Sequence, residues 1–424
     1  MPAEHVALVA NRKLPADRDW STSALLDQAI SWSPDVRAKA AAYRSAAAEA
    51  KAARVPLPAA LQLTAEYSHQ DNPDKPWLGS GLLDLPVDLG GRRNARVSAA
   101  DLAMAQARYD YAEALWTTRS AIRHAAIERL SADQALPLAV RVRDLRKDRL
   151  ARLRLRVKAG EDPQSVVLLA QTEHAAAERR LQEIEARRRA AGLALAKALG
   201  ADPETVQVLP LLPLTGRASA PPATHLARLR QEAALGRSDV LRAILDYDLA
   251  ENALRLEVAS QYPAIRIQPG YTYERGIVKL PFGVNLQLPP IDGNRAAIRA
   301  AEQRRAEAGV KLEAVQAGVL AEVDRADAAL AAAIAAEHMQ TTQVLSAARH
   351  MADTTRAGLK AGEFDRIDEQ AASAAEAEAE LGRIEASREA WLAHADLEDA
   401  LRHSDDAEEM KTIGDAMMRL GDNK

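Results

Sequence analysis

The sequence predicts a mainly α-helical protein with four β-strands, built as two tandem repeats of helix, β-hairpin, very long helix and returning helix. Three observations point there. First, the stretch from Ala264 to Arg295 alternates: Ile265, Ile267, Tyr271 and Tyr273 against Arg266, Gln268, Gly270 and Thr272. After Glu274-Arg275-Gly276-Ile277 the alternation resumes with Val278, Leu280, Phe282, Val284, Leu286 and Leu288. A period of two around a Gly-containing break is the pattern of a β-hairpin with one apolar and one polar face. Second, the surrounding segments are alanine-rich and helix-forming. Third, the two halves of the 424-residue chain repeat each other.

Taken in order, residues 1–23 form an N-terminal segment that reads as irregular, with Ser21 or Ser23 as the first helix cap. Repeat 1 covers 24–201. Its first helix is interrupted at Ser33-Pro34, where Ser33 can cap and Pro34 can open a new helix. Val55-Pro56-Leu57-Pro58 stops it. A first hairpin at 60–90 follows: Leu61, Leu63, Ala65 and Tyr67, a polar loop from His69 to Lys75, then Leu83, Leu85, Val87 and Leu89. The long helix 92–158 spans on the order of 100 Å at about 1.5 Å per residue, with Pro137 expected to bend it or mark a packing change. Gly160 and Asp162-Pro163 make a tight turn into the returning helix 163–199.

Residues 202–224 read as a Pro-rich linker without helical period, and 225–403 as repeat 2. Tyr247 matches Tyr43, Ala264 matches Ala60 and Tyr271 matches Tyr67 at one constant offset, so an internal repeat of about 200 residues is visible within the chain itself. Repeat 2 holds the hairpin 264–290, the long helix 294–360 and the helix 363–402. Within that long helix Ala308, Leu312, Val315, Val319, Val323, Ala326, Leu330 and Ile334 step by threes and fours, as a coiled-coil seam does. Flanking alanines would let each helix touch neighbours on two sides. The tail 404–424 is charged and expected to be peripheral.

Bulk properties exclude several functions. Hydrophobic residues make up 48% but aromatics only 4%, which favours closely packed helices over a bulky core. The 56 basic and 60 acidic residues are interspersed, so no field marks a nucleic-acid binder. Without cysteine there is no disulfide, thiolate metal site or cysteine nucleophile. The first residues carry no apolar leader core, so no signal peptide is expected in this chain, and no apolar run is long enough for a membrane helix. Catalytic motifs are missing, and the histidines, including His69, His124, His174, His338 and His350, show no metal-ligand spacing; no enzyme, cofactor or metal site is expected.

Each hairpin arm is long enough for a tilted membrane strand of roughly 9 to 11 residues. Four strands cannot enclose an open interior, and lipid does not tolerate open edges, so a spanning sheet requires several copies of the chain. Tyr67, Trp77, Tyr271, Tyr273 and Phe282 lie in or beside the hairpins, where interfacial rings belong. The alternative is a soluble coiled-coil scaffold whose hairpins form a small sheet with these rings as its core.

The element order together with LPVDLGGRR (Leu85 to Arg93), the K-A-G-E turns at Lys158 and Lys360, and PGYTYERG…FGVNLQLPPIDGNRAAIRAAEQRRAEA (Pro269 to Ala308) resembles the TolC family of outer-membrane efflux proteins. The exit from strand to helix at Leu286 to Arg305 most resembles its heavy-metal branch, which serves cobalt-zinc-cadmium and copper exporters. The resemblance implies a homotrimer: a shared 12-stranded β-barrel in outer-membrane lipid on a long periplasmic α-helical barrel. It implies a periplasmic adaptor protein and an inner-membrane proton-driven efflux pump as partners, with toxic metal ions or small molecules as cargo; a type I secretion channel is the alternative within the fold. The adaptor-contact tips carry over to Val157, Gly160, Leu359 and Gly362, and the acidic periplasmic entrance to Asp368. The family's second acidic position is Ala371 here, with Asp365 and Glu369 nearby as substitutes. An acidic ring at a symmetric mouth favours cations, while the same residues can also stabilise the positive end of a helix.

Overall fold

The computed structural model describes residues 12–68, 74, 76–87, 91–213 and 216–422. Most of the His69–Lys75 loop and the Asp88-Leu89-Gly90 end of the first hairpin lie outside the described residues, as do residues 1–11. The chain is mainly helical with one small antiparallel sheet, and it divides into two compact units.

One unit comprises Lys39–Tyr111 and Ser238–Ala317. Its strands β1 (Ala60–Tyr67), β2 (Trp77–Val87) and β3 (Ala264–Glu274) are hydrogen-bonded in that order, and β4 (Ile277–Lys279) and β5 (Phe282–Gln287) both pair with β3. The two hairpins thus join through β2 and β3, with Leu85 opposite Ile267 and Gly81 opposite Tyr271. The return arm expected as one strand is broken at Leu280-Pro281, because proline has no N–H to give the ladder. The Pro281 carbonyl still accepts the Gly270 N–H at 2.8 Å. Between β3 and β4, Arg275 and Gly276 take φ of 45° and 96°, the left-handed pair that a tight hairpin turn needs.

Helices carry the chain into and out of this sheet: α2 (Pro34–Ala53), the beginning of α3 (Arg92–Lys158), α7 (Ser238–Ala259) and the beginning of α8 (Arg295–Met339). Asn252, buried on α7, donates to the Ala95 carbonyl of α3 at 2.8 Å, and Arg305 on α8 pairs with Glu251 at 2.9 Å.

The other unit comprises Met1–Ala38, Ala112–Arg237 and Gly318–Lys424. Here α1 (Thr22–Trp32) begins at Ser21, whose hydroxyl accepts the Ala24 N–H at 3.1 Å, and ends at Ser33 before Pro34. The rest of α3 runs through Pro137 as one element. Around that proline Ala132, Ala135, Ala139 and Val142 pack with residues of α4 (Gln164–Leu199) and α10 (Arg366–Leu401). Buried positions occur all round α10, as in Ala372-Ser373-Ala374 and Ala393-His394-Ala395, so this helix is packed on more than one side. Small side chains permit that closeness. The seam on α8 is buried at Val319, Val323, Ala326 and Leu330.

Three further expectations need correction. The linker is not free of helix: α5 (Pro203–Gln207) is capped by Asp202, α6 (Ala223–Gly236) begins within it, and Leu211 bridges to Trp20, which is 2% exposed and anchors the N-terminal segment. The second long helix is not uniform. After Met339 a π-helical segment, Gln340–Leu345, precedes α9 (Ser346–Ala361). Thr341 and Thr342 hydroxyls donate to the Glu337 and His338 carbonyls at 2.8 Å, serving acceptors that the widened turn disturbs, and Gln340 reaches the Ala379 carbonyl of α10 beside side-chain-free Gly382.

The tail, third, is not peripheral. It forms α11 (Ala407–Asp422), with Ile413, Ala416 and Leu420 buried, and its Glu409 meets Arg119 at 2.8 Å. Arg119, 1% exposed, also donates to Glu398 at 2.6 Å, Asp399 at 2.9 Å and Ser404 at 3.0 Å. Burial opposes the Arg119 charge, but Glu398, Glu409 and Asp399 outweigh it and raise its pKa. Burial likewise opposes ionisation of Glu409, which Arg119, Thr22 and Arg123 together hold below the usual carboxylate range. Breaking one side of a buried pair strands the other charge. Glu409→Ala is therefore expected to cost about 3–5 kcal/mol, read as a lowered unfolding midpoint; a loss below about 1 kcal/mol would show that this ladder does not hold α11.

Candidate functional site

Two surfaces carry chemistry, one in each unit. In the sheet, side chains two apart share a face and paired residues share it across strands. The registers therefore place Leu61, Leu63 and Tyr67 of β1 with Trp77, Leu83, Leu85 and Val87 of β2. Ile265, Ile267, Tyr271 and Tyr273 of β3 follow on the same face, as do Val278, Phe282, Val284 and Leu286. This apolar face is open: Leu63 is 74% and Phe282 70% exposed. The opposite face carries Gln62, Thr64, Ser80, Asp84, Arg266, Gln268, Thr272 and Asn285, interrupted by Leu78 and Leu82. Asp84 and Arg266 meet there through two bonds at 2.8 and 2.9 Å, and Glu274 pairs with Lys279.

The five aromatic residues singled out from sequence all lie on the apolar face. Tyr67 and Trp77 are a cross-strand pair in edge-to-face contact at 5.1 Å, and Tyr273 lies at the same end of the sheet. Tyr271 is one step further in, and Phe282 stands opposite Pro269. Rings thus concentrate toward the hairpin-turn end. No helix of the described residues is long and apolar enough to cross a membrane.

In the other unit, α3 turns into α4 and α9 turns into α10 with the same backbone device. Gly160 and Gly362 both sit at φ 78°. Glu161 and Glu363 N–H groups then reach back to the Arg156 and Gly358 carbonyls at 2.9 and 2.8 Å, closing orphan acceptors at the helix ends. The starts of the next helices differ. Pro163 opens α4 without a side-chain cap, whereas Asp365 caps α10: its Oδ1 accepts from Ile367 N at 2.7 Å and Asp368 N at 2.9 Å, and Asp368 Oδ2 accepts from Asp365 N at 3.2 Å.

Arg156 bridges the two turns, donating to Asp365 Oδ2 at 2.6 Å and lying 2.8 Å from Asp162. Below it Val157, Val166 and Ile367 pack on Leu150, Leu153, Val167 and Ala170. Slight burial works against the Asp365 carboxylate, yet the Asp368 and Ile367 amides and Arg156 keep it below its ordinary range.

The sequence-predicted entrance residues are therefore not equivalent. Asp365 is matched by Arg156; Glu369 is turned toward Arg366 at 3.6 Å and accepts from Ser373 at 3.0 Å; Asp368 is exposed and has no ion pair among the described residues. Of the tip residues, Gly160 and Gly362 are exposed, while Val157 and Leu359 are half-buried. Sequence reading missed Arg156, Phe364, whose ring fills the place a Cβ at Gly358 would take, and the exposed Leu155, Leu168 and Leu169 beside the first turn. An apolar Leu168-Leu169 pair one turn into a helix was the available signal.

The histidines lack ligand spacing in sequence except at one place the fold reveals: His394 and Glu398, one helical turn apart, lie with Asp405 within ligand reach of one another. His124, bonded to Asp396 at 2.8 Å and to the Ser120 carbonyl at 2.9 Å, is held above its ordinary pKa, with burial opposing.

Two measurements test the tip. Gly362→Ala should destabilise it by about 1–2 kcal/mol, because an L side chain is strained at this φ. Since the folded Asp365 pKa is depressed, its contribution is present above the unfolded carboxylate value and lost as pH falls through the folded one. Amide protection at Ile367 and Asp368, corrected for intrinsic exchange, should fall on acidification through that window. In Asp365→Ala it should be low and flat with pH.

A family model described as outer membrane efflux protein matches residues 25–201 and 229–401. No curated protein sequence matches. Among solved structures, the outer-membrane channel CmeC of Campylobacter jejuni superposes with a TM-score of 0.75 at 12% identity, over 96% of this chain and 92% of that one. The outer-membrane protein VceC of Vibrio cholerae gives 0.70 at 20% identity, over 91% and 97%. CusC, whose structures concern folding and transmembrane channel formation, gives 0.72 at 15% identity, over 93% and 97%.

Proposed function

Because this chain belongs to the outer membrane efflux protein family, we propose that it is the exit duct of a tripartite, proton-driven efflux system. Membership makes it a transport channel and not an enzyme. The finer reading rests on one observation: the apolar face runs across the sheet and nothing among the described residues covers it. A small soluble sheet would hide that face in a core. In lipid it is the outward wall, and the Asp84–Arg266 face becomes the wet lining.

Among the described residues, β1 at one edge and β4 and β5 at the other have no further strand partner, and unpaired backbone is not tolerated in hydrocarbon. Four arms per chain in three copies make about twelve strands, enough to leave a passage. Tyr67, Trp77 and Tyr273 then stand as an interfacial girdle.

At the helical turns, a periplasmic adaptor would meet Val157, Gly160, Leu359 and Gly362 together with Leu155, Leu168 and Leu169. Gly160 and Gly362 present bare backbone on which a partner chain can lie. Of Asp365, Asp368 and Glu369, Asp368 has the charge least neutralised by neighbours, so a threefold ring of it would set a cation-favouring mouth. Arg156–Asp365 would hold the two turns together when the mouth is closed. Cargo is toxic metal ions or small molecules handed over by the pump and adaptor; the resemblance of the strand exit at Leu286 to Arg305 to the heavy-metal branch favours metal ions.

Deleting the protein should sensitise cells to metals or small toxic compounds. Gly362→Asp, expressed at wild-type level and inserted normally, should reproduce the deletion by blocking adaptor docking. Unchanged sensitivity to every compound tested, or a purified chain that stays monomeric in detergent-free buffer, would remove the proposal.

A further inference from the structure

We propose that His394, Glu398 and Asp405 bind one divalent cation of the zinc, nickel or copper(II) kind, where α10 ends and the loop to α11 begins. One nitrogen of His394 and one oxygen from each carboxylate lie within 4.8 Å of one another. His394 is only 7% exposed, and its Nδ1 has no hydrogen-bond partner. Its Nε2 lies 3.2 Å from Asp405 Oδ2. Its Nδ1 faces Glu398 Oε2 at 3.9 Å. His394 Nδ1 is thus a buried ligand atom that no hydrogen bond of the described residues serves.

The groups around Glu398 hold it in place. Arg119 holds Glu398 Oε2 at 2.6 Å, while Ser404 and the Asp405 N–H serve Oε1 at 3.3 and 2.8 Å. A carboxylate has further lone pairs to give, and such supporting bonds orient a ligating group.

Asp405 has a side chain 67% exposed on a non-helical loop and can move in to close the site. One imidazole with two carboxylates suits borderline first-row cations. Magnesium and calcium avoid imidazole, and softer ions seek sulfur. The Trp391 ring packs edge-to-face on His394 at 5.7 Å, so a quenching ion bound here would dim it.

The test uses the untagged full chain in detergent, stripped with a chelator and titrated with Zn²⁺ by calorimetry and with Cu²⁺ by fluorescence. Saturable binding of one ion per chain is expected, and Cu²⁺ quenching should be lost in Trp391→Phe. His394→Gln should abolish binding, and Asp405→Asn should weaken it by about tenfold or more. His350→Gln should leave it unchanged. Should His394→Gln misfold, Asp405→Asn decides, because its side chain lies outside the Arg119 bonds. Absence of saturable binding, or wild-type affinity in Asp405→Asn, would overturn the site.

Discussion

The sheet is the constraint on which the rest depends. An antiparallel sheet with one polar face and one uncovered apolar face cannot be stable alone in water, since several large side chains remain exposed across its strands. Nor can it lie alone in hydrocarbon, because two of its edges end in unpaired backbone. The closed wall proposed above would meet both constraints, in a chain that belongs to the outer membrane efflux protein family.

In the other unit the governing device is the abundance of alanine. A helix such as α10, buried at successive positions around its circumference, can be close to several neighbours only if most of its side chains are small. Close packing leaves little room for adjustment, and the chain deals with local misfits by specific means. The π segment at Gln340–Leu345 shifts the register of the second long helix, and its two threonines take up the disturbed carbonyls. Gly382 gives way to the Gln340 amide, and Gly358 to the Phe364 ring.

The two turns show how a repeat diverges while keeping its backbone. Gly160 and Gly362 occupy the same left-handed conformation, so the reversal itself is duplicated. The entry into the returning helix is not duplicated: proline starts one, and a reciprocal aspartate box starts the other. Arg156 from the first turn then finds its anion in the second. An acidic cluster expected to act as an entrance is thus committed to capping and partly to pairing, and of the three Asp368 alone has no ion pair among the described residues.

Features decided within a few residues were legible in the sequence. Strand alternation, the Ser21 cap, the break before Pro34, the Gly160 and Gly362 turns and the coiled-coil seam each depend on local period or on the conformational limits of one residue type. The internal repeat was legible because both halves keep those local signals in the same order. Features joining distant positions were not. The pairing of β2 with β3, the docking of the tail through Glu409 on Arg119, the anchoring of Trp20 against Leu211, the Arg156–Asp365 bridge and the grouping of His394 and Glu398 with Asp405 are settled by which surfaces the fold brings together. Charge and hydrogen-bonding partners are a property of three-dimensional proximity, and only the packed chain specifies it.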